Sequence, residues 1–179
     1  MAVRVTVAIL TAAALAFAGC GEDDDASDGT FESDAFPLTF SYPDGFEETT
    51  DVTLDTQVGL PPDSTAAVAL DADNSILLQR FTLPDEVTDR NFDKPKAAIE
   101  GLVHQIDPDA PAPAESEIAG LRALTVDEVA LDVPADGVSR LIVLFDGDQE
   151  YLINCQSTPE SRDELDAACD QAIETLAVG

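Results

Sequence analysis

The chain has very few residues that could build a metal or catalytic centre. It contains a single histidine, His104. On the helix predicted around it, His104 falls about 140° from Ile99, away from the apolar stripe, so we interpret it as a solvated surface residue. A zinc or iron site would need more ligands than this histidine and two cysteines, Cys155 and Cys169, that are better explained as partners of each other. No metal site is expected.

Signatures of catalysis and of cofactor binding are also missing. The sequence has no Gly-x-Ser-x-Gly elbow, no glycine-rich phosphate loop and no dinucleotide fingerprint after a strand. Paired carboxylates stay open, because 37 acidic residues offer many pairs by chance. Asp71 with Asp73, or Asp146 with Asp148, could hold calcium weakly, but acidic residues are ordinary turn formers. We therefore predict no catalytic residue, no cofactor and no enzymatic activity.

Basic residues are scarce. Eight lysines and arginines face 37 acidic residues, which gives a formal net charge of −29. Such a surface repels nucleic acid and anionic lipid headgroups, so nucleic acid is excluded as a partner. The acidic excess could attract cations or a basic partner, and it fits a salt-adapted or generally acidic proteome equally well. Composition alone leaves these alternatives open.

A long apolar run occurs at the N-terminus. Residues 1–19 carry one positive charge, Arg4, followed by an apolar segment over residues 5–18. This segment is too short to span a membrane as a helix, and its charge pattern is typical of an export signal. We predict that residues 1–19 are a signal peptide.

The predicted signal ends in Phe17-Ala18-Gly19-Cys20, which resembles the bacterial lipobox. In that motif small residues precede a cysteine that is lipidated and becomes the mature N-terminus; Phe17 stands where leucine is usual. The resemblance implies fatty acyl chains, palmitate among them, on Cys20. Each buried methylene contributes about 0.8 kcal/mol, so such an anchor holds the protein permanently at the extracytoplasmic face of the cell membrane. The alternative is an ordinary secretory signal with an incidental cysteine.

The next segment is predicted to be a tether. Residues 20–34 comprise the lipidated cysteine and a stretch of Gly, Ser, Asp and Glu with almost no large apolar residue, which favours disorder. Its acidic run, residues 22–25, lacks the ligand spacing of an EF-hand loop. The remaining residues, 35–179, suit a single domain with a sizeable core.

The C-terminal part of the chain shows the clearest pattern. Residues 141–145 form a continuous apolar run, which indicates a strand covered on both faces. After a turn at residues 146–148, residues 151–156 alternate with the period of a return strand, so a hairpin is predicted. Ser161 and Glu164 then have the spacing of a capping box, and apolar residues from Leu165 to Leu176 mark one face of a helix.

Two cysteines fall on these neighbouring elements. Cys155 lies on the return strand and Cys169 on the apolar face of the helix, so we predict a disulfide between them. In the chain-entropy model this bridge would stabilise the fold by roughly 3 kcal/mol. Two separate buried thiols are the alternative. The pairing leaves Cys20, outside any predicted folded element, for lipidation.

Earlier segments complete the predicted order of elements. Strands are expected over residues 36–42, 66–70 and 76–83, the last two as a hairpin. A helix capped by Asp93 should place Ile99, Leu102, Val103 and Ile106 on one face. Residues 118–131 are predicted to form either a strand pair or one long strand. Strands, a helix, more strands and a final helix predict an α+β domain with an antiparallel sheet flanked by helices.

Three segments resemble the PsbP-like superfamily. They are the pattern Phe-x-Leu-x-Phe-Ser-Tyr-Pro-x-Gly-Phe over residues 36–46, residues 118–121 after the central helix, and the terminal hairpin followed by a helix. Phe46 stands where tryptophan often follows the turn. Within the superfamily the chain is most similar to small actinobacterial lipoproteins of the LpqN/LpqT type.

The resemblance implies an α-β-α sandwich in a non-catalytic accessory or protein-binding role. We therefore expect a membrane-anchored lipoprotein of the cell envelope with an envelope protein as its partner. A carrier of a small apolar ligand is the first alternative, and a carboxylate-based hydrolase is the second.

Overall fold

The structure is a computed structural model that describes residues 28–50, 61–132 and 134–179. The predicted signal peptide, Cys20 and the first part of the predicted tether lie outside the described residues. The elements, in chain order, are β1 (Gly29–Ser33), β2 (Phe36–Tyr42), β3 (Glu47–Thr49), β4 (Ser64–Ala69), β5 (Ser75–Thr82), α1 (Asp93–Ile106), β6 (Ala114–Ile118), β7 (Leu121–Leu131), β8 (Gly137–Asp146), β9 (Gln149–Ser157), α2 (Arg162–Glu174) and β10 (Ala177–Val178).

These strands form two antiparallel sheets. A seven-stranded sheet has the order β3-β4-β5-β9-β8-β7-β6, and a three-stranded sheet has the order β1-β2-β10. The predicted α+β class with an antiparallel sheet is confirmed. The smaller sheet was not expected, because the sequence of β2 does not show which strand it pairs with.

The seven-stranded sheet is covered on both faces. Along β8, Ile142 and Leu144 belong to the core cluster that contains Leu165 of α2, while Leu141, Val143 and Phe145 belong to the cluster that contains Ile99 and Val103 of α1. Because alternate residues of a strand point to opposite faces, the two helices lie on opposite sides of the sheet. This explains the unbroken apolar run of β8 and gives the predicted α-β-α layering.

The small sheet packs on the α2 side. Leu38 and Phe40 of β2 are buried there, and Phe40 stacks on Phe31 of β1 with ring centroids 5.0 Å apart. The prediction that the tether extends to residue 34 is therefore wrong at its end, since Gly29–Ser33 forms β1. One apolar residue of this segment, Phe31, is 2% exposed and holds β1 in the core. The average composition of the segment is polar and does not show this burial.

The β4–β5 hairpin forms as predicted, and its turn makes a long-range contact. The Asp71 carboxylate accepts hydrogen bonds from the backbone N–H of Asp73 and from the side-chain amide of Asn74. The buried Asn74 Oδ1 in turn accepts the backbone N–H of Thr158 at 2.8 Å. The acidic turn is thus engaged in structure and joins the β4–β5 hairpin to the end of β9.

Of the two alternatives for residues 118–131, one long strand is observed: β7 covers Leu121–Leu131, and its partner β6 (Ala114–Ile118) begins before the predicted segment. β6 and β7 form a tight hairpin through Ala119 and Gly120, which both have positive φ angles, 52° and 78°. Such angles are those of a two-residue hairpin turn, in which the backbone twist matches the flanking strands.

Details of the two helix starts differ from the predictions. The N-cap of α1 is Phe92 and not Asp93. Ser161 is the N-cap of α2 but makes no side-chain capping hydrogen bond, so the predicted capping box with Glu164 is not formed. Its backbone, at φ −107° and ψ 9°, lies outside the extended region that capping requires. On α1, Ile106 is 40% exposed, because the helix packs mainly against β7.

Neither helix of the described residues is both long and apolar enough to cross a membrane.

Candidate functional site

A charged groove lies between α2 and the sheet, at the end of the sheet where β8 begins and β9 ends. Its volume is about 230 Å³. Its lining residues come from β7, β8, β9 and α2: Asp127, Glu128, Val138, Ser139, Arg140, Cys155, Ser157, Arg162, Asp166 and Asp170. We call it the α2 groove.

A bulge in β7 supplies one wall of the α2 groove. The pairing of β7 with β8 shifts between Val126 and Val129, so Asp127 and Glu128 stand outside the regular ladder. Glu128 has a φ of 58°, a conformation that L-residues rarely adopt. Bulges redirect side chains, and this one brings two carboxylates within reach of cations across the groove.

Two arginines connect the bulge to α2. The Arg140 guanidinium lies 3.2 Å from Asp127 through Nε and 2.5 Å from Asp170 through Nη1. The Nη2 of Arg162 contacts Glu128, and its Nε lies 3.7 Å from Asp166. Each guanidinium therefore bridges one carboxylate of the bulge and one carboxylate of α2.

The charge of this arrangement stays negative. Four carboxylates surround two guanidiniums, and all six side chains keep partial contact with solvent. The hydrogen bond from Arg162 to Glu128, against a smaller effect of desolvation, raises the pKa of Arg162 above its already high usual value, so this arginine stays protonated. Water screens such exposed pairs, so they position side chains more than they stabilise the fold.

A disulfide lies beside the α2 groove. Cys155 of β9 and Cys169 of α2 are bonded with an S–S distance of 2.03 Å and lie 6.1 Å apart at Cα. The structure thus contains the bridge that the sequence predicted. Both cysteines are buried, and Cys155 lines the groove. The bridge fixes the distance between α2 and the strand beneath it.

Two buried serines line the groove. Ser157 is 2% exposed, and by strand alternation its side chain points to the same face as Cys155, toward α2. Ser139, also buried, donates a hydrogen bond to Asn154 Oδ1. A serine side chain therefore lies beside the disulfide in the groove.

The α2 groove has groups for ionic binding and lacks an evident acid–base pair. His104 is exposed on α1, across the sheet, with Nε2 3.3 Å from the Ala110 carbonyl oxygen. It cannot assist Ser157. Within residues 28–50, 61–132 and 134–179 no group of three or more His, Cys, Asp and Glu side chains is arranged for a metal ion. Arg140 and Arg162 occupy the positions between the carboxylates.

Outside the groove, the pKa is lowered for Asp71, Asp107 and Glu115 and raised for Glu150. The hydrogen bond from Asn74 lowers the pKa of Asp71, one of the turn aspartates considered for calcium. Glu150 of β9 stands opposite Phe81 of β5 and Phe145 of β8, and burial raises the pKa of its carboxyl. Desolvation is the sole cause of this shift, and no described side chain forms a hydrogen bond or ion pair with the Glu150 carboxylate. It lies alone, apart from the α2 groove.

A second groove is formed at the β1–β2 turn. It has a volume of about 430 Å³ and is open to solvent, with residues of the turn and the last residue, Gly179, around it. Glu32 and Asp34 flank Phe36 there, and no basic residue lines it. It shows no convergence of polar groups comparable to that of the α2 groove.

The sequence did not identify the residues of the α2 groove, apart from Cys155. One signal was present: Asp127 and Glu128 are two consecutive polar residues that interrupt the alternation between Val126 and Val129. Such an interruption is typical of a bulge, but it does not show which side chains lie across from it. Cys20, the predicted lipidation site, lies outside the described residues.

Comparison with known proteins finds similarity to solved structures, and this similarity concerns the fold. No family model and no curated protein match this sequence. Among solved structures, the chain is similar to cyanobacterial PsbP (CyanoP) from Synechocystis sp. PCC 6803, with a TM-score of 0.59 and 12% identity over 90% of this chain and 98% of that one.

A crystal structure from Bacteroides thetaiotaomicron VPI-5482 is similar with a TM-score of 0.52 and 12% identity over 84% of this chain and 48% of that one. At such low identity the similarity concerns the fold alone. The α+β architecture with antiparallel sheets and two helices is a PsbP-like fold.

Proposed function

We propose that the protein is a lipoprotein of the cell envelope, anchored by Cys20 at the extracytoplasmic face of the membrane, where it acts as a non-catalytic accessory or protein-binding module. The observation that carries this proposal is the sequence of residues 1–20, an apolar export signal that ends in Phe17-Ala18-Gly19-Cys20. The finer assignment, to small actinobacterial lipoproteins of the LpqN/LpqT type, belongs to the same proposal.

The folded domain supports a binding role. The α2 groove gathers six ionic side chains, which can hold charged groups of a partner. The one histidine, His104, lies across the sheet from Ser157. Proximity of a nucleophile to a base is the minimal geometry of nucleophilic catalysis. The net charge of −29 keeps nucleic acid outside the range of partners.

The two alternative functions have less support. A carrier of an apolar ligand needs a largely apolar cavity, whereas the α2 groove is lined mostly by charged and polar residues. A carboxylate-based hydrolase needs two carboxylates whose environments separate their pKa values. Glu150, the carboxyl whose pKa burial raises, has no acidic residue directly opposite it on the neighbouring strands.

Metabolic labelling with a fatty acid, followed by membrane fractionation, tests the anchor. We expect the wild-type protein to be labelled and to stay with membranes after a high-salt wash. Cys20→Ala should abolish the label and release the protein or stall its processing. The double variant Cys155→Ala/Cys169→Ala is the matched control, because it removes cysteines and should keep the label. A wild-type protein without label would refute the anchor.

The binding role is tested on the same strains. Crosslinking in the native envelope and affinity capture, followed by mass spectrometry, should recover a reproducible protein partner with the wild type, and less of it with Cys20→Ala. Recovery of a co-purifying lipid alone would favour the carrier. Turnover of a cell-wall substrate that is lost with one acidic substitution would favour the hydrolase.

A further inference from the structure

We propose that the anchor at Cys20 holds the folded domain with the α2 end toward the membrane, and that the negative charge of this end keeps the domain from lying on an anionic lipid surface. This inference rests on the proposed function as an anchored lipoprotein and adds the orientation of the domain. Three observations carry it: the short segment between Cys20 and β1, the end of the fold at which β1 starts, and the charges at that end.

The segment between the anchor and the fold is short. β1 begins at Gly29, nine residues after Cys20. A chain spans at most about 3.6 Å per residue, so the start of β1 lies within about 30 Å of the Cys20 backbone. A strand such as β8, with 10 residues, has about the same length. The anchor therefore keeps the domain within about one strand length of the membrane surface.

The chain enters the fold at one identifiable end of the sheet. Gly29 pairs with Tyr42, the last residue of β2. The Tyr42 hydroxyl donates to Glu48 of β3, and β3 pairs with the part of β4 that precedes the β4–β5 turn. That turn contacts the backbone N–H of Thr158, at the end of β9. The start of β1 therefore lies at the end of the sheet where β4 and β9 end.

α2 lies across the same end. Near its start, Arg162 contacts Glu128 in the β7 bulge, and in its middle Cys169 is bonded to β9. Just after the helix, Thr175 Oγ1 accepts the backbone N–H of Ser41, the residue before the last one of β2. We call this end of the domain, where α2 joins β7, β9 and β2, the anchor end.

The connections at the anchor end carry charge of one sign. They join β2 to β3, β4 to β5, β7 to β8 and β9 to α2, and none of them contains a lysine or an arginine. Their exposed charged residues are Asp44, Asp71, Asp73, Asp132, Asp136 and Glu160. The exposed surface of α2 adds five carboxylates and one arginine, Arg162. The segment before β1 also contains five acidic residues and no basic one.

These charges determine how the domain meets lipid. Anionic headgroups attract basic segments, and the same field repels acidic ones. The repulsion decays over the Debye length, about 8 Å at physiological ionic strength. The domain therefore does not adhere to an anionic lipid surface, although the anchor holds it nearby. Its opposite end, which contains the β8–β9 turn, faces away from the membrane.

Energy transfer from single tryptophans tests the orientation, because the sequence contains no tryptophan. The chain from Cys20 onward includes every described residue, and the Cys155–Cys169 disulfide leaves Cys20 as its one free thiol. This thiol is coupled to a maleimide lipid in vesicles whose headgroups carry an acceptor.

The two donor variants are matched in charge. Asp73→Trp places the donor in the β4–β5 turn at the anchor end, and Asp148→Trp places it in the β8–β9 turn, about 30 Å away along the sheet. Each removes one exposed carboxylate. We expect transfer to be several-fold more efficient from the Asp73→Trp variant. Melting curves verify that both variants are folded.

Lipid charge and salt test the repulsion. At about 0.01 M salt, where the Debye length is about 30 Å, transfer from the Asp73→Trp variant should be lower on vesicles with anionic lipid than on neutral phosphatidylcholine vesicles. At about 1 M salt the Debye length is about 3 Å, and the two kinds of vesicle should give equal transfer.

Neutralising charge at either end provides the matched comparison. Added to Asp73→Trp, the changes Asp23→Asn, Asp24→Asn and Asp25→Asn should reduce the effect of anionic lipid at low salt. The control changes, Asp85→Asn, Glu86→Gln and Asp146→Asn, remove equal charge from exposed residues at the opposite end and should reduce it less.

Each part of the proposal has a result that overturns it. Equal transfer from the two donor positions would overturn the orientation. Transfer that does not respond to lipid charge or to salt, or an equal effect of the two sets of neutralising changes, would overturn the repulsion at the anchor end. The maleimide lipid supplies the anchor in these measurements, so fatty acid labelling of Cys20 in the cell still decides the proposed function separately.

Discussion

At the scale of single residues, Glu150 has an environment that is unfavourable for its charged form. Its carboxylate stands between Phe81 and Phe145 on the α1 side of the sheet, with no partner among the described residues. Burial raises the pKa of this carboxyl above the ordinary value of 4.5. Ionised Glu150 therefore lowers the stability of the folded protein.

The pH dependence of this effect has a definite sign. At a pH above the raised pKa, Glu150 is ionised in both the folded and unfolded states, and its desolvation opposes folding in full. As the pH falls through that pKa, the folded state binds a proton while the unfolded state does not, so stability rises. Below the unfolded value of 4.5 the penalty is absent.

We predict that Glu150→Gln raises the free energy of unfolding by roughly 1 kcal/mol at neutral pH and that the gain shrinks toward pH 4.5. Denaturant unfolding measured across this pH range checks it. Glu117→Gln is the control, because Glu117 is exposed on β6 and should show no such trend. A gain that is independent of pH would contradict the interpretation.

Two residues locate the start of the domain and its link to the main sheet. Phe31 draws β1 into the core, against Phe36 and Phe40. The Arg80 guanidinium donates to the Ala35 carbonyl oxygen at 2.7 Å and so ties the β1–β2 turn to β5. The sequence showed neither contact: Arg80 and Ala35 are 45 residues apart, and the pairing of Phe31 with β2 depends on a hairpin that the composition of residues 20–34 does not indicate.

At the scale of elements, α2 is attached to the rest of the fold in three ways. Its apolar face packs against β2 and β9, a disulfide joins it to β9, and Asp170 and Arg162 connect it to β8 and the β7 bulge. The helix lacks a side-chain N-cap, so tertiary contacts position it.

Removing the bridge should show how much these attachments contribute. We predict that Cys155→Ala/Cys169→Ala lowers the free energy of unfolding by roughly 3 kcal/mol, because the unfolded chain regains the freedom that the bridge removes. Denaturant titration of the variant and of the reduced wild type should agree. Intact-mass alkylation should find no reactive Cys155 or Cys169 in the folded oxidised protein, and labelling of both would contradict the bridge.

At the scale of the whole molecule, the dominant property is charge. The net charge is −29, and four cations, Lys96, Arg122, Arg140 and Arg162, make the ion pairs found among the described residues. Most carboxylates of the described residues therefore form no ion pair with a lysine or arginine. Their mutual repulsion opposes the compact state.

Monovalent salt should consequently stabilise the protein. The Debye length falls to about 10 Å at 0.1 M, which screens repulsion between exposed carboxylates. We predict that the melting temperature rises with potassium chloride from low ionic strength upward, although the exposed ion pairs weaken. Sorbitol at equal osmolality is the control, and a melting temperature that does not respond to the salt would show that the charges are already compensated.

The sequence by itself determined the features that depend on local pattern. Three such patterns each extend over only a few residues: the apolar run of β8, the alternation of β9, and the helical spacing between Leu165 and Cys169. They made the terminal hairpin, the helix after it and the disulfide predictable. The PsbP-like fold was implied by the resemblance of residues 36–46, residues 118–121 and the terminal hairpin and helix to that superfamily.

The tertiary structure alone decided which charged groups meet. Among 37 acidic residues, nothing local distinguishes Asp127 and Asp170 as the partners of Arg140, because the choice depends on a bulge and on the placement of α2. The same holds for Glu128 and Asp166 as the partners of Arg162, since ion pairs between distant elements do not follow from the pattern along a strand. Periodicity reports which face of an element is apolar, and only packing reports what lies opposite.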